Sequence, residues 1–493
     1  MILQFVSRII FIRILGAEYL GLNGLFSNVL SLLSLAELGI GSAVDFALYR
    51  PLKENDVESL KSILTLYRRL YWITGAVILT AGAILTPFLP CLIKDMPDNM
   101  EHMYLYFILY LLHSGIPYFF AYKRSLIICD QKEYISTALT ALFNILLKVL
   151  QIAILVVSRN YALYLSATVV TALLENLIIS VLADRMYPYL KDKNVRKLPS
   201  ETGKEIRKRV YALVFRKIGT IIVYATDNII ISRFVGFFSV GIYSNYTLVI
   251  QAVQMAAYRF FDSINASIGN LTVSSEKGYV EKVLYRILFA NAWMFSFCSA
   301  ALLSLFQPFI RLWAGPEYLL PGGTLLVIII QFYLEGMRAT GVTFRRVLGL
   351  YWPARYAPVI EGILNLALSI PLAVRFGISG TLLGTIISTS CVSAIADPYV
   401  LFRYYFRKNM NHGMLKFFLE QAKYTASAAA TAFLTMILCR LVTPDPASGF
   451  ILRLCLCILT PNLCMAFIFR KNEHYIYYKR FAANIWRSRR RSR

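Results

Sequence analysis

Long apolar segments dominate the hydrophobic pattern of this chain, and short polar stretches separate them. A membrane-spanning helix needs roughly 20 consecutive, mainly apolar residues. About fourteen segments are candidates, at 1–15, 22–48, 67–93, 102–121, 136–157, 161–184, 212–232, 238–261, 283–306, 323–342, 356–374, 378–402, 417–441 and 448–469. The pattern therefore predicts an all-α integral membrane protein with about fourteen transmembrane helices.

The first segment, 1–15, is shorter than a full span. It is either a re-entrant or interfacial piece or, as we favour, a first helix from which some residues are missing. The N-terminus carries neither a basic leader nor a small-residue cleavage site, so we expect no cleaved signal peptide.

Composition supports the membrane assignment. Hydrophobic residues make up 58% of the 493 positions and charged residues 16%, whereas soluble domains average about 25% charged. This excludes an ordinary soluble protein and a disordered chain. The net charge of +24 would suggest nucleic acid in a soluble protein. In a membrane protein the location of the positive charges must be considered first. We therefore expect no nucleic-acid partner.

The positive charges lie mainly on one side of the predicted bilayer. If residue 1 is cytoplasmic and the connections alternate, the inner connections hold 41 of the 51 Lys and Arg residues and the outer ones seven. The other three, Arg8, Arg13 and Lys148, fall within helices. This asymmetry predicts an even number of helices with both termini in the cytoplasm. The arginine-rich tail is on the same side, where we expect it to contact membrane lipid headgroups.

A long basic connection at 185–211 marks the boundary between two halves. We predict an N-terminal six-helix lobe at 1–184, the basic cytoplasmic linker at 185–211 and a C-terminal six-helix lobe at 212–402. Two extra helices follow at 403–469, and a basic cytoplasmic tail occupies 470–493. The two lobes are predicted to be pseudo-symmetric and to surround a central cavity.

An internal repeat supports this division. Gly16 and Gly21 match Gly236 and Gly241 at an offset of 220 positions. At an offset of 221, Pro87-Phe88 matches Pro308-Phe309, Arg124 matches Arg345, and Asn144 matches Asn365. The second copy begins on the same side of the membrane after six helices, so we predict parallel repeats related by an axis along the membrane normal.

Ionisable residues inside predicted spans are the candidates for function, since their burial in lipid is costly. The mid-depth set is Glu37, Lys148, Glu175, Asp227 and Glu335, and nearer the inner ends lie Asp45, Asp262, Glu361 and Asp397. Lys148 is either a contact for an anionic substrate or the partner of Glu175 on the next helix. The candidate substrate-binding residues are therefore Arg8, Lys148 and Glu175.

Three carboxylates are candidates for ion coupling: Asp227, Glu335 and Glu37. A carboxyl group in a site of low dielectric constant can exchange protons near neutral pH, so coupling to protons or sodium is one hypothesis. A hydrogen bond to a neighbouring helix is the equally simple alternative.

Several kinds of chemistry are absent from the sequence pattern. The eight cysteines are scattered, mostly in apolar segments, and no pair has metal-ligand spacing, so we expect neither a disulfide framework nor a metal site. No Walker A loop, Rossmann fingerprint or His-Glu-x-x-His motif occurs. We therefore expect no cofactor, no ATP site and no enzymatic activity.

The sequence resembles a known family in several stretches. These are Leu15-Gly16-Ala17-Glu18-Tyr19-Leu20-Gly21-Leu22-Asn23-Gly24-Leu25-Phe26, Leu35-Ala36-Glu37-Leu38-Gly39-Ile40-Gly41-Ser42-Ala43, Leu48-Tyr49-Arg50-Pro51-Leu52, Ala225-Thr226-Asp227-Asn228-Ile229-Ile230-Ile231-Ser232 and Val240-Gly241-Ile242-Tyr243-Ser244-Asn245-Tyr246. They are similar to the bacterial polysaccharide-biosynthesis flippases, the translocases of O-antigen, teichoic-acid and capsule repeat units. That family belongs to the multidrug/oligosaccharidyl-lipid/polysaccharide exporter superfamily.

The resemblance implies a function and a location. A chain of this kind would move undecaprenyl-diphosphate-linked oligosaccharide from the inner to the outer leaflet of the bacterial cytoplasmic membrane by alternating access. Its cavity would be cationic, which suits a diphosphate, and Arg8 and Lys148 are the residues placed to supply that charge. Two alternatives remain open: a cation-coupled drug exporter of the same superfamily, favoured by a cavity with more acids than bases, and a membrane polysaccharide polymerase or ligase.

Overall fold

The fold was analysed in a computed structural model, which describes residues 2–37, 40–92, 102–192, 195, 226–350, 352–407, 410–442 and 448–491. Helices dominate this part of the chain, and it contains no strand. Most of the predicted linker at 185–211 and the start of the segment at 212–232 lie outside the described residues. So do the side chains at the arginine-rich end of the tail.

Sixteen helices follow one another in the described residues. They are α1 (Ile2–Leu33), α2 (Ile40–Glu54), α3 (Val57–Leu85), α4 (Met103–Gly115), α5 (Ala121–Cys129), α6 (Glu133–Ser158), α7 (Tyr161–Met186), α8 (Asp227–Ile230), α9 (Phe237–Ser274), α10 (Lys277–Trp313), α11 (Gly322–Val347), α12 (Ala357–Cys391), α13 (Ser393–Val400), α14 (Met410–Arg440), α15 (Ser448–Ile468) and α16 (Glu473–Arg491). Short 3-10 turns include Ser34–Glu37 and Ile116–Phe119.

Eight helices in the described residues are long and apolar enough to cross a membrane, and up to ten if each bent pair counts as one span. The chain is therefore a multi-pass membrane protein, while the predicted total of about fourteen helices stays a prediction. Helix α6 has a side that can face lipid, since Leu142, Ile145, Val149 and Val156 are each more than half exposed. An apolar face of this size would be unfavourable in water, so it contacts lipid.

Two long helices are interrupted at glycines. In α1 the backbone leaves helical geometry at Gly16, where φ is 83°, and in α12 it does so at Gly377, where φ is 61°. Positive φ is accessible to glycine without the steric cost that a Cβ atom imposes. These breaks lie between neighbouring predicted segments, 1–15 and 22–48 in α1, and 356–374 and 378–402 in α12.

The matched glycines of the repeat adopt related backbone conformations. Gly236, the counterpart of Gly16, has φ of 140° and ends the turn before α9. Both glycines therefore have positive φ at a helix break, which explains why the sequence repeat retains glycine at this pair.

The chain packs into two compact units. Unit 1 comprises 1–244, 358–366 and 373–377, and unit 2 comprises 245–357, 367–372 and 378–493. In unit 1, α2, α3, α5 and α7 enclose a core that includes Leu48, Tyr67, Leu126 and Ile179. In unit 2, α10 packs against α11, α14 and α15, and buries Phe289, Phe295 and Phe306.

Candidate functional site

A cavity of about 610 Å³ lies inside unit 1, among α1, α4, α6 and α7. Its polar side chains recur every three or four positions along each helix, as Asn144, Lys148 and Gln151 do on α6. This spacing places residues on one face of a helix, so each helix contributes a polar stripe to the cavity wall. The volume is in the range of small-molecule sites, roughly 300–1,000 Å³.

Lys148 is part of the cavity wall and is held by neutral groups. Its Nζ donates a hydrogen bond to Gln151 Oε1 at 2.9 Å, and Gln151 Nε2 donates to Thr168 Oγ1 at 3.0 Å. Gln151 is buried, so this chain fixes the position of the ammonium group. No carboxylate in the described part of the chain pairs with Lys148, so no described residue neutralises its positive charge.

The rest of the described cavity wall is uncharged but rich in hydrogen-bonding groups. Besides Lys148 it carries the side chains of Asn23, Ser27, Ser31, Ser34, Tyr110, His113, Ser114, Asn144, Gln151, Tyr164 and Thr168, and no Asp or Glu. The Nδ1 atom of His113 is buried without a hydrogen-bond partner among the described residues. Such a wall suits a ligand with negative charge and many hydroxyl groups, since each buried polar group of the ligand needs a partner.

Arg8 lies near this cavity on the first half of α1. Its guanidinium donates a hydrogen bond to Ser244 Oγ and interacts electrostatically with Tyr110 and Tyr164, which are both cavity residues. Arg8 and Lys148 are also close enough for their charges to repel each other. The structure therefore brings two of the three candidate substrate-binding residues into one positively charged region of unit 1.

Glu175 is held elsewhere, and the predicted alternative in which it pairs with Lys148 is wrong. Its Oε1 accepts hydrogen bonds from Arg124 Nη2 at 2.8 Å and from Thr140 Oγ1 at 2.8 Å. The error arose because sequence separation does not give the rotation of one helix against the next. The carboxylate of α7 faces the short helix α5, which carries Arg124.

The three candidate coupling carboxylates occupy different places. Glu37, in unit 1, accepts a hydrogen bond from Tyr71 at 3.0 Å. Glu335, in unit 2, accepts from the side-chain amides of Gln254 at 3.1 Å and Gln331 at 3.2 Å. Asp227 is buried in the first turn of α8. Hydrogen bonds to a neighbouring helix are thus present for Glu37 and Glu335, and coupling stays a hypothesis for all three.

Unit 2 contains a groove of different chemistry. It has a volume of about 750 Å³ and runs among α10, α11, α14 and α15, where most lining side chains are aliphatic or aromatic. The arginines at one end include Arg453, which donates hydrogen bonds to the carbonyl oxygens of Cys439 at 3.2 Å and Val442 at 3.4 Å. Its guanidinium therefore satisfies one carbonyl group in the last turn of α14 and one just beyond the end of the helix.

An ion pair between an arginine and a carboxylate is common to both units. Arg345 Nη1 in unit 2 contacts Asp397 at 2.8 Å, and Arg338 Nη2 contacts the same carboxylate at 3.2 Å. Arg345 is the repeat counterpart of Arg124, which binds Glu175 in unit 1. Both halves therefore hold one arginine of the matched pair against a carboxylate on a later helix.

Sequence reasoning did not identify most of the cavity residues. Gln151, His113, Tyr110 and Thr168 are polar but mostly uncharged, so a search for ionisable groups passes over them. The signal that would have found them is the spacing of polar residues in apolar segments, as in Tyr110 with His113 and Tyr164 with Thr168. Within an apolar span, such a stripe indicates a face turned away from lipid.

Comparison with known proteins shows the fold. Neither a protein-family model nor a curated protein matches this sequence. Among solved structures, the lipid II flippase MurJ in an inward closed conformation is similar with a TM-score of 0.67 and 15% identity, covering 95% of this chain and 97% of that one.

Two drug transporters are also similar. An inward-facing multidrug resistance MATE family transporter of the MOP superfamily has a TM-score of 0.63 and 15% identity, covering 81% of this chain and 94% of that one. The MATE multidrug transporter DinF-BH, solved in a ligand complex, has a TM-score of 0.59 and 18% identity, with coverages of 82% and 91%. The chain therefore has the fold of MOP-superfamily transporters, and these neighbours are transporters and flippases rather than enzymes.

Proposed function

We propose that this protein is a flippase for an oligosaccharide linked to a polyprenyl diphosphate, such as undecaprenyl diphosphate. It would carry the headgroup from the inner to the outer leaflet of a bacterial cytoplasmic membrane for the synthesis of a cell-surface polysaccharide. The observation that carries this proposal is Lys148, whose charge faces a polar cavity with no carboxylate among its described lining residues.

The chemistry of the cavity matches the chemistry of such a headgroup. A diphosphate is an anion with several acceptor oxygens, and charge-assisted hydrogen bonds from Lys or Arg to phosphate are among the stronger polar contacts in proteins. Arg8, near the same cavity, would add a second positive charge. Neutral donors such as Asn144 and Tyr164 suit the hydroxyl groups of the sugars. Glu175 is engaged by Arg124, so we assign the headgroup to Lys148 and Arg8.

A polar cavity also removes the main barrier to crossing. Each unsatisfied polar group in hydrocarbon costs several kcal/mol, so a charged sugar headgroup does not cross a bilayer unaided. In a cavity its hydration is replaced by protein groups, while the polyprenyl tail stays in lipid. Alternating access would then expose the headgroup on one side and afterwards on the other.

The second candidate function is a cation-coupled drug exporter. It is favoured by the similarity of the fold to MATE transporters and by the carboxylates Glu37, Glu335 and Asp227. A cavity that binds cationic drugs would, however, be expected to present acids rather than bases, and the cavity of unit 1 presents Lys148.

The test is a translocation assay in proteoliposomes. A fluorescent polyprenyl-diphosphate sugar is incorporated, and an impermeant reductant quenches the probe that reaches the outer leaflet. Charge reversal by Lys148→Glu is expected to lower the initial rate at least about tenfold, since an attractive contact with phosphate becomes repulsive. Lys148→Arg, which keeps the charge, is expected to retain most of the rate.

The matched control is Lys423→Glu, the same charge reversal at an exposed lysine paired with Glu420. It is expected to transport at the wild-type rate. A Lys148→Glu protein that also transports the probe at the wild-type rate would remove Lys148 from the site and the main support from the proposal.

A further inference from the structure

Two of the eight free cysteines lie in contact inside unit 2. Cys439 is in the last turn of α14, and Cys457 is near the middle of α15. Their sulfur atoms are 3.8 Å apart, a distance of van der Waals contact at which either thiol can donate a weak hydrogen bond to the other. The two residues are 18 positions apart in the sequence, so spacing along the chain gave no reason to pair them.

The helical repeat places both thiols on facing sides of their helices. Residues four apart lie on one side of a helix. On α14, Thr431, Thr435 and Cys439 follow this spacing, and all three are buried. On α15, Arg453 and Cys457 do so, and Arg453 Nε donates a hydrogen bond to the Cys439 carbonyl oxygen at 3.2 Å. The side of α15 that carries Cys457 therefore faces the end of α14.

Hydrogen bonds in both directions hold this contact. Besides the bond from Arg453, the Cys439 sulfur lies 3.9 Å from the Arg453 carbonyl oxygen, which can accept from the thiol. A disulfide bond is about 2 Å long, so the sulfur atoms of Cys439 and Cys457 have to approach each other from their separation of 3.8 Å. Rotation of the side chains about their Cα–Cβ bonds moves the sulfur atoms over a distance of this size. The thiols are thus within reach of each other in the packed helices.

The two thiols differ in their access to the groove of unit 2. Cys439 is part of the groove wall, beside Arg440, whereas Cys457 is fully buried and is not among the described lining residues. A small reagent inside the groove therefore contacts the Cys439 sulfur first. Redox-sensitive cysteines are often paired in this way with a second cysteine that completes the bond.

A metal ion is the alternative occupant for two thiols. Structural sites for thiolate-binding metals such as zinc almost always use four ligands. Within the described residues, no group of three or more His, Cys, Asp and Glu side chains is arranged to hold a metal ion. The pair is therefore better suited to forming a bond between its own sulfur atoms.

The predicted topology places this pair near the outer side of the membrane. The asymmetry of Lys and Arg residues predicts that the connection between α14 and α15 is outside the cytoplasm, and Cys439 is one residue before the end of α14. Disulfide bonds form and persist in oxidising compartments such as the bacterial periplasm and cell surfaces, whereas cytosolic thiols are kept reduced. The position thus suits a thiol pair that can be oxidised.

We propose that Cys439 and Cys457 form a redox-sensitive modification site, at which a small disulfide oxidant in the groove of unit 2 converts the two thiols into a disulfide bond between α14 and α15. The bond closes the loop that connects the two helices and fixes the groove wall at Cys439. In the reduced state, noncovalent contacts hold α14 against α15 at this position. The site does not depend on the proposed flippase function.

The reaction consists of two successive thiol–disulfide exchanges. Cys439 loses its proton, and its sulfur attacks one sulfur of the oxidant, which releases the other half of the oxidant as a thiolate. Cys457 then loses its proton and attacks the Cys439 sulfur of this mixed disulfide, and the second half leaves as a thiolate. Each released thiolate takes up one of the two protons. The protein loses two hydrogen atoms with their two electrons, which the oxidant gains as it becomes two thiols.

Peptide mapping of the purified full-length protein tests the site. The protein is treated with dipyridyl disulfide, a small apolar oxidant, and the remaining thiols are alkylated in denaturant before digestion with trypsin. Trypsin yields the peptides 424–440 and 454–470, which contain Cys439 and Cys457. We expect a disulfide bond to join these two peptides in the oxidised protein, and we expect them to separate after treatment with dithiothreitol.

Cys455 provides the matched control, because it is exposed and lies in the same tryptic peptide, two positions before Cys457. Cys455→Ser is expected to retain the joined peptides, whereas Cys457→Ser and Cys439→Ser are each expected to lose them. Joined peptides in Cys457→Ser would overturn the proposal. So would a wild type in which Cys439 carries only the reagent, or stays unmodified after Cys455 has reacted. The wild-type result decides the question even where a variant does not fold.

Thermal unfolding tests whether the bond fixes the two helices. A crosslink restricts the unfolded chain more than the folded one, so the oxidised wild type is expected to have a higher apparent Tm than the dithiothreitol-treated protein. Cys457→Ser is expected to show no such difference. An oxidised protein with joined peptides and an equal or lower apparent Tm would contradict the claim that the bond fixes α14 against α15. Neither readout uses a transported substrate, so a failure here leaves the flippase proposal standing, and failure of the translocation assay leaves this site standing.

Discussion

The interior spaces of the two units differ in chemistry although the units share a repeat. The cavity of unit 1, about 610 Å³, is lined by hydroxyl, amide and imidazole groups around Lys148. The groove of unit 2, about 750 Å³, is lined mainly by aliphatic and aromatic side chains. One matched element lies in each unit, an arginine bound to a carboxylate: Arg124 in unit 1 and Arg345 in unit 2.

This contrast separates what the fold requires from what function requires. The charge of this arginine must be satisfied wherever the corresponding helices pack, and both units satisfy it with a carboxylate. The walls of the two internal spaces are built by helices that do not correspond in the repeat, since α14 and α15 line the groove of unit 2, and their chemistry differs. Lys148, a charge that an apolar span tolerates only at a cost, lies in the cavity wall of unit 1, and the proposed function assigns substrate binding to this cavity.

The largest expected effect concerns the ion pair of unit 2. Asp397→Asn removes a buried carboxylate that is bound by Arg338 and Arg345. Breaking a buried pair by removing one partner costs about 3–5 kcal/mol, and here two arginines lose a contact with the same carboxylate. The apparent Tm in detergent is expected to fall sharply. A variant as stable as the wild type would show that this pair does not stabilise unit 2.

The matched arginines give a smaller and graded effect. Arg124→Met leaves Glu175 with only Thr140 as a partner among the described residues, whereas Arg345→Met leaves Asp397 still bound to Arg338. Arg124→Met is therefore expected to lower the apparent Tm more than Arg345→Met. A larger fall in apparent Tm for Arg345→Met than for Arg124→Met would contradict this explanation.

A third pair of variants compares the two internal spaces directly. Gln151→Leu in unit 1 removes the group that positions Lys148, at a cost of about 1 kcal/mol for one hydrogen bond. Transport of the diphosphate-linked probe is expected to fall several-fold. Tyr333→Phe in unit 2 removes the hydroxyl that bonds to Thr425 at 3.3 Å and is expected to leave transport unchanged. Equal losses in both variants would contradict the division of roles.

The smallest effect is a pH dependence at the turn between α5 and α6. Burial alone would raise the pKa of Asp130, but hydrogen bonds from Lys132 and Tyr187 outweigh it and lower the pKa below its ordinary value. Because the folded state has the lower pKa, this stabilisation is present at neutral pH and is lost as the pH falls through the acidic range. The difference in apparent Tm between wild type and Asp130→Asn is expected to shrink on acidification. A difference that grows instead would contradict the assignment.

The sequence was informative about the repeated framework. Hydrophobic segment lengths predicted a helical membrane protein, and the offset of 220 positions matched Gly16 with Gly236, which share a backbone feature that only the structure could display. Lys148 stood out because a lysine deep in a span is costly wherever it has no partner.

Side-chain pairing was less predictable, for a physical reason. The partner of Glu175 depends on how α7 is rotated against α5 and α6. A rotation of α7 by a fraction of a turn changes which basic residue the Glu175 carboxylate contacts, Lys148 or Arg124. The hydrogen bonds of Tyr67 to Asp45 and of Tyr71 to Glu37 gave no signal either, because tyrosines in an apolar span also occur in interfacial belts and in ordinary cores.

The central claim, that the cavity of unit 1 binds an anionic diphosphate headgroup through Lys148, is tested most directly by competition binding. The purified full-length protein is titrated with a fluorescent polyprenyl-diphosphate sugar and, separately, with a cationic dye. We predict that the diphosphate probe binds, that Lys148→Glu abolishes this binding while Lys148→Arg retains it, and that the dye does not compete. Binding of the cationic dye by the wild type, with no binding of the diphosphate probe, would contradict the account and favour the drug exporter.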